Sequence, residues 1–120
     1  MAGSESTTSQ RGALRFPGGD RLLNYTTDYE DGEARLVNIS RSGCAISKAT
    51  TELQIGQKLL ITLNLEEPEK QLQIQAAVLR VQTEGIALRF LHLEEKTTRH
   101  LLRFFAKENR QQKHHPAPDS

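Results

Sequence analysis

Leu59, Ile61, Leu63 and Leu65 fall at every second position, and so do Leu72, Ile74, Ala76 and Val78. A period of two marks a strand with one buried face, so two strands are predicted here. Between them lies Glu66-Glu67-Pro68-Glu69-Lys70, a turn whose proline cannot sit in a central strand. The two runs therefore form a long hairpin. After Val78 the apolar parity shifts to Leu79 and Val81, which predicts a bulge or a strand end buried on both faces. Glu84-Gly85 then turns the chain into a strand in which Ile86, Leu88 and Phe90 share one face.

Upstream, residues 21–29 and 33–39 read as two strands joined around Asp31-Gly32, a dipeptide suited to a tight turn. The stretch Phe16-Pro17-Gly18-Gly19-Asp20 reads as a loose loop before the first of them. Residues 43–47 make a short further strand with Cys44 and Ile46 on one face, and 50–57 is a loop. One segment reads as a helix. Glu94-Glu95 puts negative charge at its start and Lys107 lies near its end, as the helix dipole favours. Leu101, Leu102 and Phe105 form an apolar stripe at helical spacing, with Phe104 beside it. Six short strands and one terminal helix predict a mainly β domain, a small antiparallel barrel or sandwich carrying a helix.

The ends have little to bury. Residues 1–10 are Ser/Thr/Gln-rich and read as a flexible arm, and a polar tail is expected over 109–120. His114 and His115 sit in that Pro-flanked tail and read as solvated, since a specific metal site needs three or four converging ligands. The 120 residues suffice for one domain, spanning 11–108, and 36% hydrophobic with 26% charged residues is the balance of a globular chain. Met1 to Ser6 lacks the basic-then-apolar pattern of a secretory signal, and no apolar run reaches membrane-spanning length. A cytoplasmic protein is expected, with no membrane partner. A single cysteine, Cys44, excludes an internal disulfide and fits a reducing compartment.

Candidate chemistry narrows the picture further. No histidine is spaced with an acid or nucleophile in a catalytic arrangement, and Cys44 lies in an apolar strand, so an enzyme is not expected. A net charge of +1 leaves no broad basic surface for DNA or RNA, and only two Tyr and four Phe are present to stack bases. Two polar motifs stand out. The first is Arg11-Gly12-Ala13-Leu14-Arg15; the second is Asn38-Ile39-Ser40-Arg41-Ser42-Gly43, where an apolar strand ends in polar residues. The stretch between them holds two strands and a turn, which lets both motifs reach one edge of a barrel. Strand alternation predicts Asn38 and Ser40 outside, with Val37 and Ile39 inside. Gly43 is expected to supply a positive-φ turn or to admit a ligand closely.

This pair, Arg-x-x-x-Arg followed two strands later by Asn-x-Ser-x-x-Gly, resembles the signature of the PilZ domain family. The likeness extends through Gly43-Cys44-Ala45-Ile46, both hairpin strands and Gly85-Ile86-Ala87-Leu88-Arg89-Phe90 to the helix. It implies a six-stranded antiparallel β-barrel with a C-terminal helix that binds cyclic di-GMP. By that resemblance Arg11 and Arg15 lie on a mobile stretch that wraps over the ligand. Asn38, Ser40 and Gly43 form the floor, and Arg41 sits near a phosphate. No other cofactor is implied, and a downstream protein partner is. The physics agrees: guanine offers O6 and N7 as adjacent acceptors, which the arginine fork matches with two bonds. Three departures affect the expectation. Gln10 stands where many members carry a basic residue, Asn38 replaces the commoner aspartate, and Arg41 is an added cation within the second motif. The competing expectation is a PilZ-fold interaction module that binds no nucleotide.

Overall fold

The computed structural model describes residues 14–65 and 71–114. Among these, β1 (Phe16–Thr26), β2 (Asp31–Ile39), β3 (Gly43–Ser47), β4 (Lys58–Asn64), β5 (Gln71–Gln82) and β6 (Gly85–Leu91) precede α1 (Glu95–His114). The strands close into a barrel in the order β1-β2-β3-β6-β5-β4, with β4 returning to β1 and every pairing antiparallel. Closure leaves no free sheet edge, and it decides for the barrel over the sandwich.

The alternating apolar positions face inward as their period requires. Leu59, Ile61 and Leu63 of β4 and Ile74, Ala76 and Val78 of β5 are buried, with Leu23, Leu36, Ile46 and Leu88 from the other strands. The parity change after Val78 is a bulge: Val78 pairs with Leu88 but Arg80 with Ala87, so Leu79 is the extra residue. Leu79 and Val81 consequently point outward and are exposed. Helix α1 adds Leu101 and Phe105 to the same core. Its first turn is held by Thr98, whose N–H and hydroxyl both reach the Glu94 carbonyl at 2.9 Å. Its second half is fixed to β1 through Arg21, which pairs with Glu108 at 2.9 Å and lies 5.0 Å from the centre of the Phe104 ring.

Several local expectations give way. Asp31-Gly32 is not the first turn; that turn is residues 27–30. Thr27 closes it, its N–H donating to the Glu30 carbonyl at 2.8 Å and its hydroxyl accepting from the Glu30 N–H at 3.1 Å. Gly32 instead pairs with Tyr25, where a Cβ would collide with the tyrosine ring. The buried ring anchors its hydroxyl on Thr51 Oγ1 at 2.8 Å. Phe16-Pro17-Gly18-Gly19-Asp20 is not a loop but the start of β1. The pairing with β2 slips between Pro17 and Arg21, and Gly19 and Asp20 take positive φ of 68° and 57° there.

At the other end the helix continues through His114, past the point where a polar tail was expected to begin at Asn109. With Phe105 and Glu108 anchored on the barrel, each further residue extends an existing helix, and Arg, Gln and Lys are good helix formers. The arm at 1–10, the turn 66–70 and the tail from His115 lie outside the described residues.

Candidate functional site

The two polar motifs meet at one end of the barrel because β1 and β2 pair antiparallel. Phe16 lies opposite Ile39 and Pro17 opposite Asn38, so the residue before β1 comes to the end of β2. Arg15 there donates from Nη1 to Asn38 Oδ1 at 2.6 Å. Arg11 lies outside the described residues, so half of the first motif is not positioned.

The alternation expected over Val37, Asn38, Ile39 and Ser40 is broken. Leu36 pairs with Ile46 but Asn38 with Ala45, which makes Val37 a bulge residue. Val37 points outward next to buried Leu36, 46% exposed, and the extra residue turns Ile39 back into the core, with Ser40 buried after it. Ser40 is not on the open face beside Asn38; it organises the turn. Its N–H donates to the Gly43 carbonyl at 2.8 Å, and its hydroxyl accepts from the Ser42 N–H at 3.3 Å. This leaves Arg41 and Ser42 exposed at the tip of the turn.

Gly43 has no positive φ, contrary to the first of its two expected roles. It is required by packing: a Cβ there would run into the carbonyl oxygen of Leu88 on β6. The glycine lets β3 and β6 close against each other, with Arg89 directly across from Gly43 and the Phe90 N–H bonded to the Ser42 carbonyl at 2.9 Å.

Two clefts open beside this turn. One, of about 750 Å³, runs between Leu14, Phe16 and Arg41 on the barrel side and Thr98, Leu102 and Arg103 of α1. The other, of about 560 Å³, lies between Arg41, Ser42 and Arg89 on one side and Leu93 and Glu95 on the other. Arg41, Glu95 and Thr98 line both, so the clefts adjoin. Arg89, Arg99 and Arg103 were not singled out in the sequence, because cross-strand register and helix docking bring them here. The only prior signal for Arg89 was its place in the strand after Glu84-Gly85.

Cys44 follows Gly43 into the barrel and is buried. Burial pushes its thiol from 9.0 up to about 12, with the Arg15 guanidinium acting in the opposite sense. It is a core residue without nucleophilic character at neutral pH. No group of three or more His, Cys, Asp or Glu able to hold a metal occurs among the described residues. No described helix is long and apolar enough to cross a membrane.

The PilZ domain family model matches residues 10–107, most of the chain and both motifs. The chain belongs to the PilZ domain family. Several solved structures share its architecture. The PilZ domain of Escherichia coli YcgR, solved with c-di-GMP, superposes with a TM-score of 0.69 at 19% identity, covering 88% of this chain and 97% of that one. K. pneumonia MrkH in its c-di-GMP complex gives 0.68 at 15% identity, over 90% of this PilZ chain and 55% of MrkH. The Bacillus subtilis inhibitor of motility, MotI/DgrA, gives 0.67 at 23% identity, over 91% of this chain and 54% of its own. No curated protein matches the sequence significantly.

Proposed function

We propose that this PilZ domain is a non-catalytic receptor for cyclic di-GMP, working in the cytoplasm of a bacterium and passing the signal to a protein partner. The observation that carries the proposal is the Arg15–Asn38 contact, which joins the two motifs at the barrel end. A guanidinium has five donors, so Arg15 keeps spare donors for a guanine edge or a phosphate while Asn38 holds it in place. The chemistry of the ligand matches: two guanines with paired acceptors and two phosphate charges meet Arg15, Arg41 and, from sequence, Arg11. In this reading Asn38 offers its amide to the base, while Ser40 and Gly43 hold the turn that presents Arg41. Two solved relatives of the same fold contain c-di-GMP, which supports the same choice of ligand.

On binding, the arginine-bearing stretch ahead of β1 closes over the nucleotide. Leu14, beside Arg15, also walls the larger cleft against α1, so closure changes the surface offered to a partner there. Titration calorimetry with cyclic di-GMP, with GMP and cyclic di-AMP as controls, tests the proposal. Saturable binding of cyclic di-GMP supports it, and absence of heat at high concentration overturns it in favour of an interaction module without nucleotide.

A further inference from the structure

The smaller cleft contains groups that neither motif accounts for. Arg89 stands across from Gly43, the last residue of the second motif, and shares the cleft with Arg41 from the turn. Both are exposed, and among the described residues neither side chain takes part in an ion pair or hydrogen bond. The opposite wall carries Glu95, in the first turn of α1. Its partner is Arg99 at 3.7 Å, and both side chains are more than half exposed, so the pair is weak and leaves the carboxylate available. Phe90 and Leu93, both half-buried against the core, supply apolar wall between these charges.

Two free arginines alone would suit a phosphate. A carboxylate in the same cleft does not, because it repels an anion. What fits both is a neutral planar group with acceptors on one edge and donors on the next, lying against apolar side chains. Guanine is such a group: O6 and N7 accept, and N1–H and the 2-amino group donate. A carboxylate can accept both of those donor bonds at once.

We infer that this cleft is a guanine subsite, in which Arg89 reads the O6/N7 edge and Glu95 accepts from N1–H and the 2-amino group. The inference rests on the reading of this domain as a cyclic di-GMP receptor, and assigns base recognition to two residues outside the two motifs. Arg41, from the second motif, lines both clefts and so borders the subsite. Arg89 is a binding residue on this view, and Glu95 is the residue that sets specificity.

The test compares cyclic di-GMP with cyclic di-IMP, whose base lacks only the 2-amino group, by calorimetry on wild type, Glu95→Ala, Arg89→Ala and Arg15→Ala. Wild type is expected to prefer cyclic di-GMP by about tenfold, the scale of a lost charge-assisted hydrogen bond. Glu95→Ala should bring that preference close to one. Because the preference is a ratio measured on one protein sample, a change in helix stability or folded fraction does not imitate the effect. Arg89→Ala should weaken both dinucleotides by about tenfold and leave the preference in place. An unchanged preference in Glu95→Ala, a wild type that does not distinguish the two ligands, or wild-type binding by Arg89→Ala overturns the subsite. If Arg15→Ala alone loses affinity, the receptor reading stands and only the guanine subsite falls. If wild type binds neither dinucleotide, both fall together.

Discussion

Arg15 and Asn38 are 23 positions apart in sequence and in direct contact, Nη1 to Oδ1, at 2.6 Å. The antiparallel pairing of β1 with β2 brings them together, and both groups are accessible enough to exchange this bond for bonds to a ligand. Arg15→Ala should therefore weaken cyclic di-GMP binding by about ten- to a hundredfold, from about 1–3 kcal/mol per lost contact. Its melting temperature should barely move, since an exposed substitution usually costs within about 0.5 kcal/mol. Arg11→Ala is expected to behave alike. Ile61→Ala should do the reverse, losing about 2–5 kcal/mol of stability while the folded fraction binds normally. Calorimetry paired with thermal melts on the three variants separates the cases.

Selectivity follows from the same arginine. Adenine keeps N7 but presents an amino donor where guanine has O6, so the guanidinium fork loses a bond and meets a like dipole. Cyclic di-AMP should bind at least about tenfold more weakly than cyclic di-GMP, a difference of about 1.4 kcal/mol. Equal affinities in a competition titration would mean that the arginines contact phosphate alone.

Gly43→Ala should destabilise the barrel even though no unusual backbone angle is involved. The added methyl meets the Leu88 carbonyl, which is strand backbone and cannot swing aside. Overpacking of this kind costs about 1–3 kcal/mol. Urea unfolding measures it, and a midpoint equal to wild type would show that β3 and β6 have room to separate.

The Cys44 thiol gives the stability a pH dependence. In the unfolded chain it ionises near 9.0, whereas in the folded chain burial holds it protonated up to about 12. The folded state then binds the extra proton, so this contribution is complete below pH 9 and is lost as pH rises from 9 toward 12. Between pH 8 and pH 10.5 wild type should lose about 1–2 kcal/mol more than Cys44→Ala, at about 1.4 kcal/mol per unit. Parallel denaturation curves at the two pH values would show it. Alkylation of the native thiol at pH 8 should likewise be far slower than in denaturant.

Arg21 ties α1 to β1 by an ion pair with Glu108 and by lying against Phe104 and Phe105. The pair is about three-quarters shielded, so it exceeds an ordinary surface pair but is still partly screened. Glu108→Gln should cost about 1 kcal/mol, with the loss shrinking as salt is raised. Hydrogen exchange should rise in the second half of α1 before it rises in the barrel. Uniform exchange across helix and strands would mean that the helix does not open separately.

Burial pattern is what the sequence by itself determined. Period-two runs at 59–65 and 72–78 and the helical stripe through Leu101 and Phe105 specify which faces turn inward, because apolar periodicity reports the local repeat directly. The parity shift after Val78 betrayed the bulge for the same reason. The two motifs were equally legible, as residue types at fixed spacing. Tertiary structure decided the rest. Asp31-Gly32 has the composition of a turn, yet Gly32 is needed beneath the Tyr25 ring, and only strand pairing reveals that neighbour. Val37 faces out in step with buried Ala34 and Leu36, and Ile39 faces in because one residue is added to β2 relative to β3, a slip that reverses every side chain beyond it. Ser40 is drawn inside to close its own turn, and Arg89 and Glu95 meet across a cleft from segments that share no local pattern. Periodicity is a property of a segment alone, whereas register, bulge position and helix docking are free-energy differences between whole arrangements of the chain.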